Sequence, residues 1–469
     1  MPLTAPKERR ILSPTPPLSA NYLYPFRDSN AVTSRRIAEP VQLAYADSPI
    51  ENRLRTRLLG DLSFSGHDTA YASHNTHAFA AKFPPQLPRT FIEELTDVGE
   101  VILDPMAGSG TALVEAALAG RVGIGADLDP LAASICSAKT GFLDPEAVSL
   151  LGENVSDYAR LVLASGGPDY HAKALSAFDD ATKSFVEYWF EPQTIGELAA
   201  LRESIRALVQ YPYRHLFDVV FSSVIITKSG GVSLARDLAH TRPHKVADKR
   251  VKNAIDAFKE KLEKVSRTLA SIADWPGATH VLRSDSRMLP LADGIADLVV
   301  TSPPYANAID YMRAHKFSLV WLGHRIDALS QVRRTYIGAE LQMEGNYLTS
   351  SETGQRVMKD LLDRDGKRAG VIARYFRDMS RVLVEMYRVL REGRSAIVVV
   401  GSSTIRGAEI PTALILAELG ERAGFRLVGV KDRLIDRNRR LMPISHTSDK
   451  TGIEARMHGE QVIAFIKPA

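Results

Sequence analysis

VILDPMAGSGTALVEAALAGRVGIGADLDP, residues 101–130, changes its local pattern three times in thirty positions. Val101-Ile102-Leu103 is a short apolar run suited to a buried parallel strand, and Asp104-Pro105 ends it. Gly108-Ser109-Gly110 lets the backbone turn sharply and leaves room for a ligand against the main chain. Thr111 to Ala119 is rich in Ala and Leu, good helix formers, and Gly120 supplies the stop. Val122 to Ala126 is a second strand, closed by Asp127 and Asp129. Strand, glycine turn, helix and strand with an acid at the tip make half of a doubly wound α/β nucleotide-binding fold, and Asp127 stands where ribose hydroxyls are held.

The ligand class follows from what is missing. There is no GxxxxGK[ST] phosphate loop, and Leu113 occupies the place of the third glycine in a dinucleotide GxGxxG fingerprint. Asp104 at the end of the first strand repels a pyrophosphate but suits an ammonium group. A nucleoside that carries an amino acid and no phosphate, S-adenosylmethionine, fits both conditions.

A second anchor lies downstream, where the strand pattern Ile295 to Val300 runs into Thr301-Ser302-Pro303-Pro304-Tyr305. A third is Lys82-Phe83-Pro84-Pro85-Gln86-Leu87. Together with DPMAGSGT these make the chain resemble the DNA amino-methyltransferases, which methylate exocyclic amines, over roughly residues 70–140 and 280–469. The resemblance implies a Rossmann-like methyltransferase sheet and a catalytic role for Ser302, Pro303, Pro304 and Tyr305. It implies cofactor contacts from Lys82, Phe83 and Pro84, and from Asp104, Pro105, Ala107, Gly108, Ser109, Gly110 and Thr111. Asp127, Leu128, Asp285 and Ser286 complete that set, with Asp285 meeting the adenine amine. Ser at the head of the catalytic motif is associated in these enzymes with cytosine N4, so cytosine in double-stranded DNA is the expected substrate. Adenine N6 and RNA amines stay open as alternatives, and the chain is silent on a partner restriction nuclease.

Composition sets outer bounds. With 469 residues a main domain plus an insertion is expected, and 45% hydrophobic residues suffice for a large core. The net charge of +4 is compatible with a nucleic-acid partner. No apolar run reaches membrane-spanning length and no signal-peptide core is seen, so a cytoplasmic protein is expected. Cys136 is the only cysteine. It excludes an intrachain disulfide and a cysteine zinc cluster, and it lies outside both motifs, which argues against a cysteine nucleophile. His74 and His77 suggest local hydrogen bonding rather than a metal site, so no metal is expected.

Four regions are expected. Residues 1–70 form a basic, partly disordered arm, with nine Lys/Arg against five Asp/Glu in residues 1–60. Residues 71–140 hold the cofactor half, residues 141–280 a mainly helical insertion, and residues 281–469 the catalytic half. The insertion carries ten Lys/Arg against five Asp/Glu from Arg236 to Arg267. Arg242, Lys245 and Arg250 in that run are the expected phosphate contacts. After TSPPY a helix to Leu322 is expected to bring Tyr311, Arg313 and His315 toward the base. Residues 330–370 read as a long loop or lid, and Lys431 to Arg440 as a second basic stretch. Val371 to Leu390 reads as a helix, and a strand at Ser395 to Val400 and a closing hairpin (Arg426 to Val430, Gln461 to Ile466) follow.

Overall fold

The computed structural model describes residues 48–227, 231–236, 243–272, 275–306, 310–339, 349–401, 403–405, 408–435 and 459–469. Its frame is a seven-stranded sheet: β1 (Val101–Asp104), β2 (Val122–Ala126), β3 (Ala278–Leu282), β4 (Ala296–Thr301), β5 (Leu390–Gly401), β6 (Arg426–Leu434) and β7 (Gly459–Ile466), in the order β6-β7-β5-β4-β1-β2-β3. The five strands β3, β2, β1, β4 and β5 are parallel, and β7 lies antiparallel between β5 and β6. The order reverses between β1 and β4, where open α/β sheets leave a ligand crevice beyond the strand ends.

Alternation along the central strands sends neighbouring residues to opposite layers. Ile102, Leu298, Val300, Ile397 and Val399 pack with α1 (Pro49–Leu59), α2 (Gln86–Leu95) and α3 (Thr111–Leu118) through Leu54, Leu87, Phe91 and Ala112. Leu103, Val299, Ala396, Val398 and Val400 face the other way. Beside α3 packs α4 (Pro130–Thr140), capped by Asp129, and the chain then enters α5 (Pro145–Gly166).

The helical segment continues with α6 (Tyr170–Leu175), α7 (Asp180–Trp189), α8 (Pro192–Leu208), α9 (Arg214–Ile225) and α10 (Ala254–Ala270). Leu198, Phe217, Phe258 and Leu262 form its centre, and the same cluster takes in Leu131 and Ile135 of α4. It also takes in Phe317 of α11 (Met312–Leu319) and Trp321. This segment therefore shares one core with elements on both sides of it in sequence. On the opposite face of the sheet lie α14 (Gly366–Val389), with Ile372, Phe376, Met379, Leu383 and Met386 inward, and α15 (Thr412–Arg422).

Three expectations change. Residues 49–59 are a helix, not an arm: Ser48 Oγ accepts from Glu51 N, Pro49 sits in the first turn, and buried Leu54 and Leu58 dock on the sheet. Glu51 is fully buried, and the Arg426 guanidinium of β6 leads in drawing its carboxyl down to about 2. Residues 1–47, with the earlier part of the arm, lie outside the described residues. Second, the region read as a loop holds α12 (Ile326–Thr335) and α13 (Glu352–Arg364), whose buried Leu329, Met358 and Leu361 face the two cores. Third, no gap separates the helix read to Leu390 from the strand read from Ser395; α14 passes straight into β5 at Leu390. No helix among the described residues is long and apolar enough to cross a membrane.

Because Leu54 is wholly enclosed by the sheet layer, Leu54→Ala should destabilise the protein by about 2–5 kcal/mol in chemical denaturation. A change within about 0.5 kcal/mol would mean that α1 is not part of the cooperative unit.

Candidate active site

The glycine turn is shaped by what lies behind it. Gly108 and Gly110 adopt φ of +51° and +74°, and a Cβ on Gly110 would stand 2.9 Å from Cys136 Sγ. Lys139 Nζ donates to Ser109 O at 2.7 Å, and Cys136 Sγ donates to Gly108 O at 3.3 Å. Burial pulls Lys139 down to about 7 and raises the Cys136 thiol, so that sulfur serves as backing for the turn. The segment before α2 is fastened to the same region: Ser73 Oγ donates to Lys139 O (2.7 Å) and Lys82 Nζ to His74 O (2.8 Å). His74 Nε2 and Tyr71 OH both meet Glu115 Oε1 of α3. Burial pushes His74 down to about 2 and Glu115 up to about 7, so the ring is neutral. His77 contacts Ser222 Oγ and Ala78 O. Both histidines are thus engaged in hydrogen bonds.

A cavity opens above this turn, beyond the ends of β1, β2 and β4. Asp104 lines it; its Oδ1 accepts from Thr301 Oγ1 (2.7 Å) and Met106 N (3.1 Å), and burial pushes the carboxyl up to about 7. Asp127 also lines it, accepting from Gly108 N and Asp129 N at 2.8 Å each, with burial raising it to about 6. Asp129 caps α4 through Leu131 N and takes His315 Nδ1 at 2.7 Å. Burial pushes its carboxyl up, but His315 and the helix amides hold it below the usual range.

Most of the residues singled out from sequence meet here. Lys82, Phe83, Ala107, Gly108, Ser109 and Thr111 line the cavity, as do Leu128, Asp285, Ser286, Ser302, Pro304 and Tyr311. Ser286 Oγ donates to Pro105 O at 2.6 Å. Arg287 forks onto Asp285, reaches Asp378 of α14 at 3.1 Å and donates to Thr335 O. Burial raises the Asp285 carboxyl, and the Arg287 contacts bring it below its ordinary value.

Several do not. Pro84, Pro105 and Gly110 shape the backbone behind the wall. Pro303 is buried, and Tyr305 is turned away, its hydroxyl donating to Glu460 of β7. Arg313 pairs with Asp310 at 3.2 Å instead of facing the cavity. Lys245 lies 4.5 Å from the centre of the Tyr188 ring, Arg250 is exposed at a separate cleft, and Arg242 lies outside the described residues. Of the second basic stretch, Arg433 is buried against Glu460, while Arg437, Arg439 and Arg440 fall outside the described residues.

The sequence reading missed Phe79, Arg333 and Tyr336. Phe79 stacks on Tyr311 (5.1 Å, 25°) and stands 5.5 Å from His315. Arg333 of α12 clasps Asp310 at 2.5 Å, and Tyr336 to Ala339 roof the cavity. An aromatic three places before Lys82 was a usable hint for Phe79. The other two sit on the stretch read as a loop.

Two lining hydroxyls decide the ligand class. Ser109 Oγ and Thr111 Oγ1 are buried with no hydrogen-bond partner in the protein. Buried donors need acceptors, and an amino-acid carboxylate supplies them beside a carboxylate, Asp104, suited to the ammonium. A DNA methylase family model of the N6/N4 class matches residues 56–137. The type II methyltransferase M.MvaI of Kocuria varians is 24% identical over 433 residues, covering 87% of this chain and 93% of that one. The chain is thus similar to S-adenosylmethionine-dependent DNA amino-methyltransferases. Type II methyltransferase M.BsoBI of Geobacillus stearothermophilus is 22% identical over 424 residues (76% of this chain, 79% of that one). M.MjaII of Methanocaldococcus jannaschii is 36% identical over 92 residues, 19% of this chain and 17% of that one. S-adenosylmethionine is the cofactor that these likenesses support.

Asp104 lines the cavity with its carboxyl raised to about 7, so ligand affinity there is expected to depend on pH. In the cofactor-free protein its raised value means that this group's stabilising contribution is present at low pH and is lost as pH rises through about 7. An ammonium favours the ionised form, so affinity should fall by up to about tenfold per pH unit below pH 7 and level off above it. Asp104→Asn should bind S-adenosylmethionine at least about tenfold more weakly and flatten this dependence, with calorimetry between pH 5.5 and 8 as the measurement.

Proposed function

We propose that the protein transfers a methyl group from S-adenosylmethionine to the exocyclic N4 amine of cytosine in double-stranded DNA. The bond from Thr301 Oγ1 to Asp104 Oδ1 carries this reading, because it sets Ser302, the next residue, in the wall of the cofactor cavity. When bound, the cofactor supplies an electrophilic methyl on a sulfonium. The chain's part is to present the amine. An exocyclic amine is a poor nucleophile because its lone pair is delocalised into the base. Ser302 Oγ and the Pro303 carbonyl accept its hydrogens and localise that lone pair, and the paired prolines hold the carbonyl rigidly. The nitrogen then bonds to the methyl carbon as the sulfur–carbon bond breaks, and the surplus proton leaves to water. The base must leave the duplex stack to reach this point.

Serine at the first position supports cytosine through family resemblance, with adenine N6 as the competing outcome. Ser302→Ala should cut turnover by about tenfold or more while cofactor affinity stays near wild type, since the lost contact is made at the reacting amine. Mass spectrometry of nucleosides from treated DNA identifies the base. Label in N6-methyladenosine alone would overturn the cytosine assignment, and label confined to RNA the substrate class.

We further propose that residues 141–280 serve target recognition and that DNA phosphates lie along a basic cleft there. Arg236, Lys249, Arg250, Lys252, Lys261 and Lys264 line it, brought together from three segments. Lys249 is a structural member: its Nζ donates to the carbonyls of Gly231, Ser233 and Ala235. Lys261 Nζ donates to Asn75 O, next to the segment that carries His77 and Phe79. Arg236, Arg250 and Lys264 are exposed. Replacing these three with Ala should lower the slope of log affinity against log salt by about 2–3 in a DNA-binding titration. An unchanged slope would make the cleft a solvated surface.

A further inference from the structure

Tyr305, the aromatic member of TSPPY, is 6% exposed. A ring so enclosed offers no open face to a base, and it is absent from the cavity wall that Ser302 and Pro304 form. Its hydroxyl donates to Glu460 Oε1 at the start of β7, and the other Glu460 oxygen pairs with Arg433. Arg433 and Glu460 stand directly opposite each other on β6 and β7, 5% and 8% exposed. Arg433 is fixed in turn by the Leu62 carbonyl at 2.9 Å and that of Ser63 at 3.5 Å. The chain of contacts thus runs from the catalytic motif to the turn after α1.

A buried ion pair is a weak source of stability, because desolvation offsets much of the attraction and apolar replacements are often as good. What this pair does specifically is hold a carboxylate acceptor beneath a phenol. We propose that Glu460, oriented by Arg433, is a positioning residue that keeps Tyr305 withdrawn from the target-base site until DNA is bound. The ring reaches a flipped-out base only by giving up its bond to Glu460, so completion of the catalytic motif is a step of DNA engagement. This inference rests on the proposed DNA amine methylation.

The test uses the full chain with 13Cζ-labelled tyrosine, the Tyr305 signal being assigned by its loss in Tyr305→Phe. In the free protein, Glu460→Gln should move that signal. Sheared unmethylated phage DNA together with S-adenosylhomocysteine should move the wild-type signal again. Tyr305→Phe keeps the ring and loses the anchor, so its single-turnover methylation of the same DNA at subsaturating concentration should be at least threefold faster. Glu460→Gln should do likewise, with cofactor affinity unchanged in both. A Tyr305 signal indifferent to DNA, or variant rates equal to or below wild type, overturns the proposal. Failure to bind DNA at all, read in a separate binding titration, refutes the functional assignment itself and this positioning role with it.

Discussion

The hydrogen bond from Thr301 Oγ1 to Asp104 Oδ1 joins the carboxyl ends of two neighbouring parallel strands at the point where the sheet changes direction. Both groups are buried, and such a bond is worth about 0.5–1.5 kcal/mol, rising to about 1.5–3 kcal/mol where the carboxyl is ionised. Its larger consequence is geometric. Asp104 begins the glycine turn and Thr301 begins TSPPY, so the contact links the two segments on which the proposed chemistry depends. The β1–β4 ladder already sets the strands in register, and this bond ties together the two segments that leave their ends.

Rigidity below the turn comes from charge that is hard to keep. Lys139 and Glu115 are displaced to about 7 from opposite directions by the same cause, removal from water. Lys139 spends its proton on a main-chain carbonyl of the turn, while Glu115 gathers Tyr71 and His74 from the preceding segment. Segment, turn and the two helices behind it are fastened by polar bonds in a region where apolar packing alone would leave their relative positions loose. That fastening stops at the hydroxyls of Ser109 and Thr111, which line the cavity with no hydrogen-bond partner in the protein.

Legibility in the sequence followed range. The cofactor turn, the acids at the ends of β1 and β2, and TSPPY were readable because each depends on residues within a few positions of itself. The parallel order of the central sheet followed from the same strand-and-helix pattern. The helix at residues 49–59 was hidden by its polar composition; its buried Glu51 is answered by Arg426, 375 positions away. The motif places Tyr305 with the catalytic residues, whereas its partner Glu460 is 155 residues distant and no local pattern announces it. Basic residues misled for the same reason: Lys249 and Arg433 look like phosphate contacts, but each is consumed by carbonyls or a carboxylate that only the fold brings near.

The core that unites the helical segment with α4 and α11 bears on how such an enzyme changes its target. Phe317 and Trp321 come from the stretch just after the catalytic motif, yet they pack among Phe185, Trp189 and Phe190 of the insertion. A helical segment transplanted from a relative would arrive without the aromatic surface that complements these rings. A graft drawn at the ends of the helical segment therefore cuts through a core instead of a linker, and an exchange that keeps the packing must include the flank that carries Phe317 and Trp321.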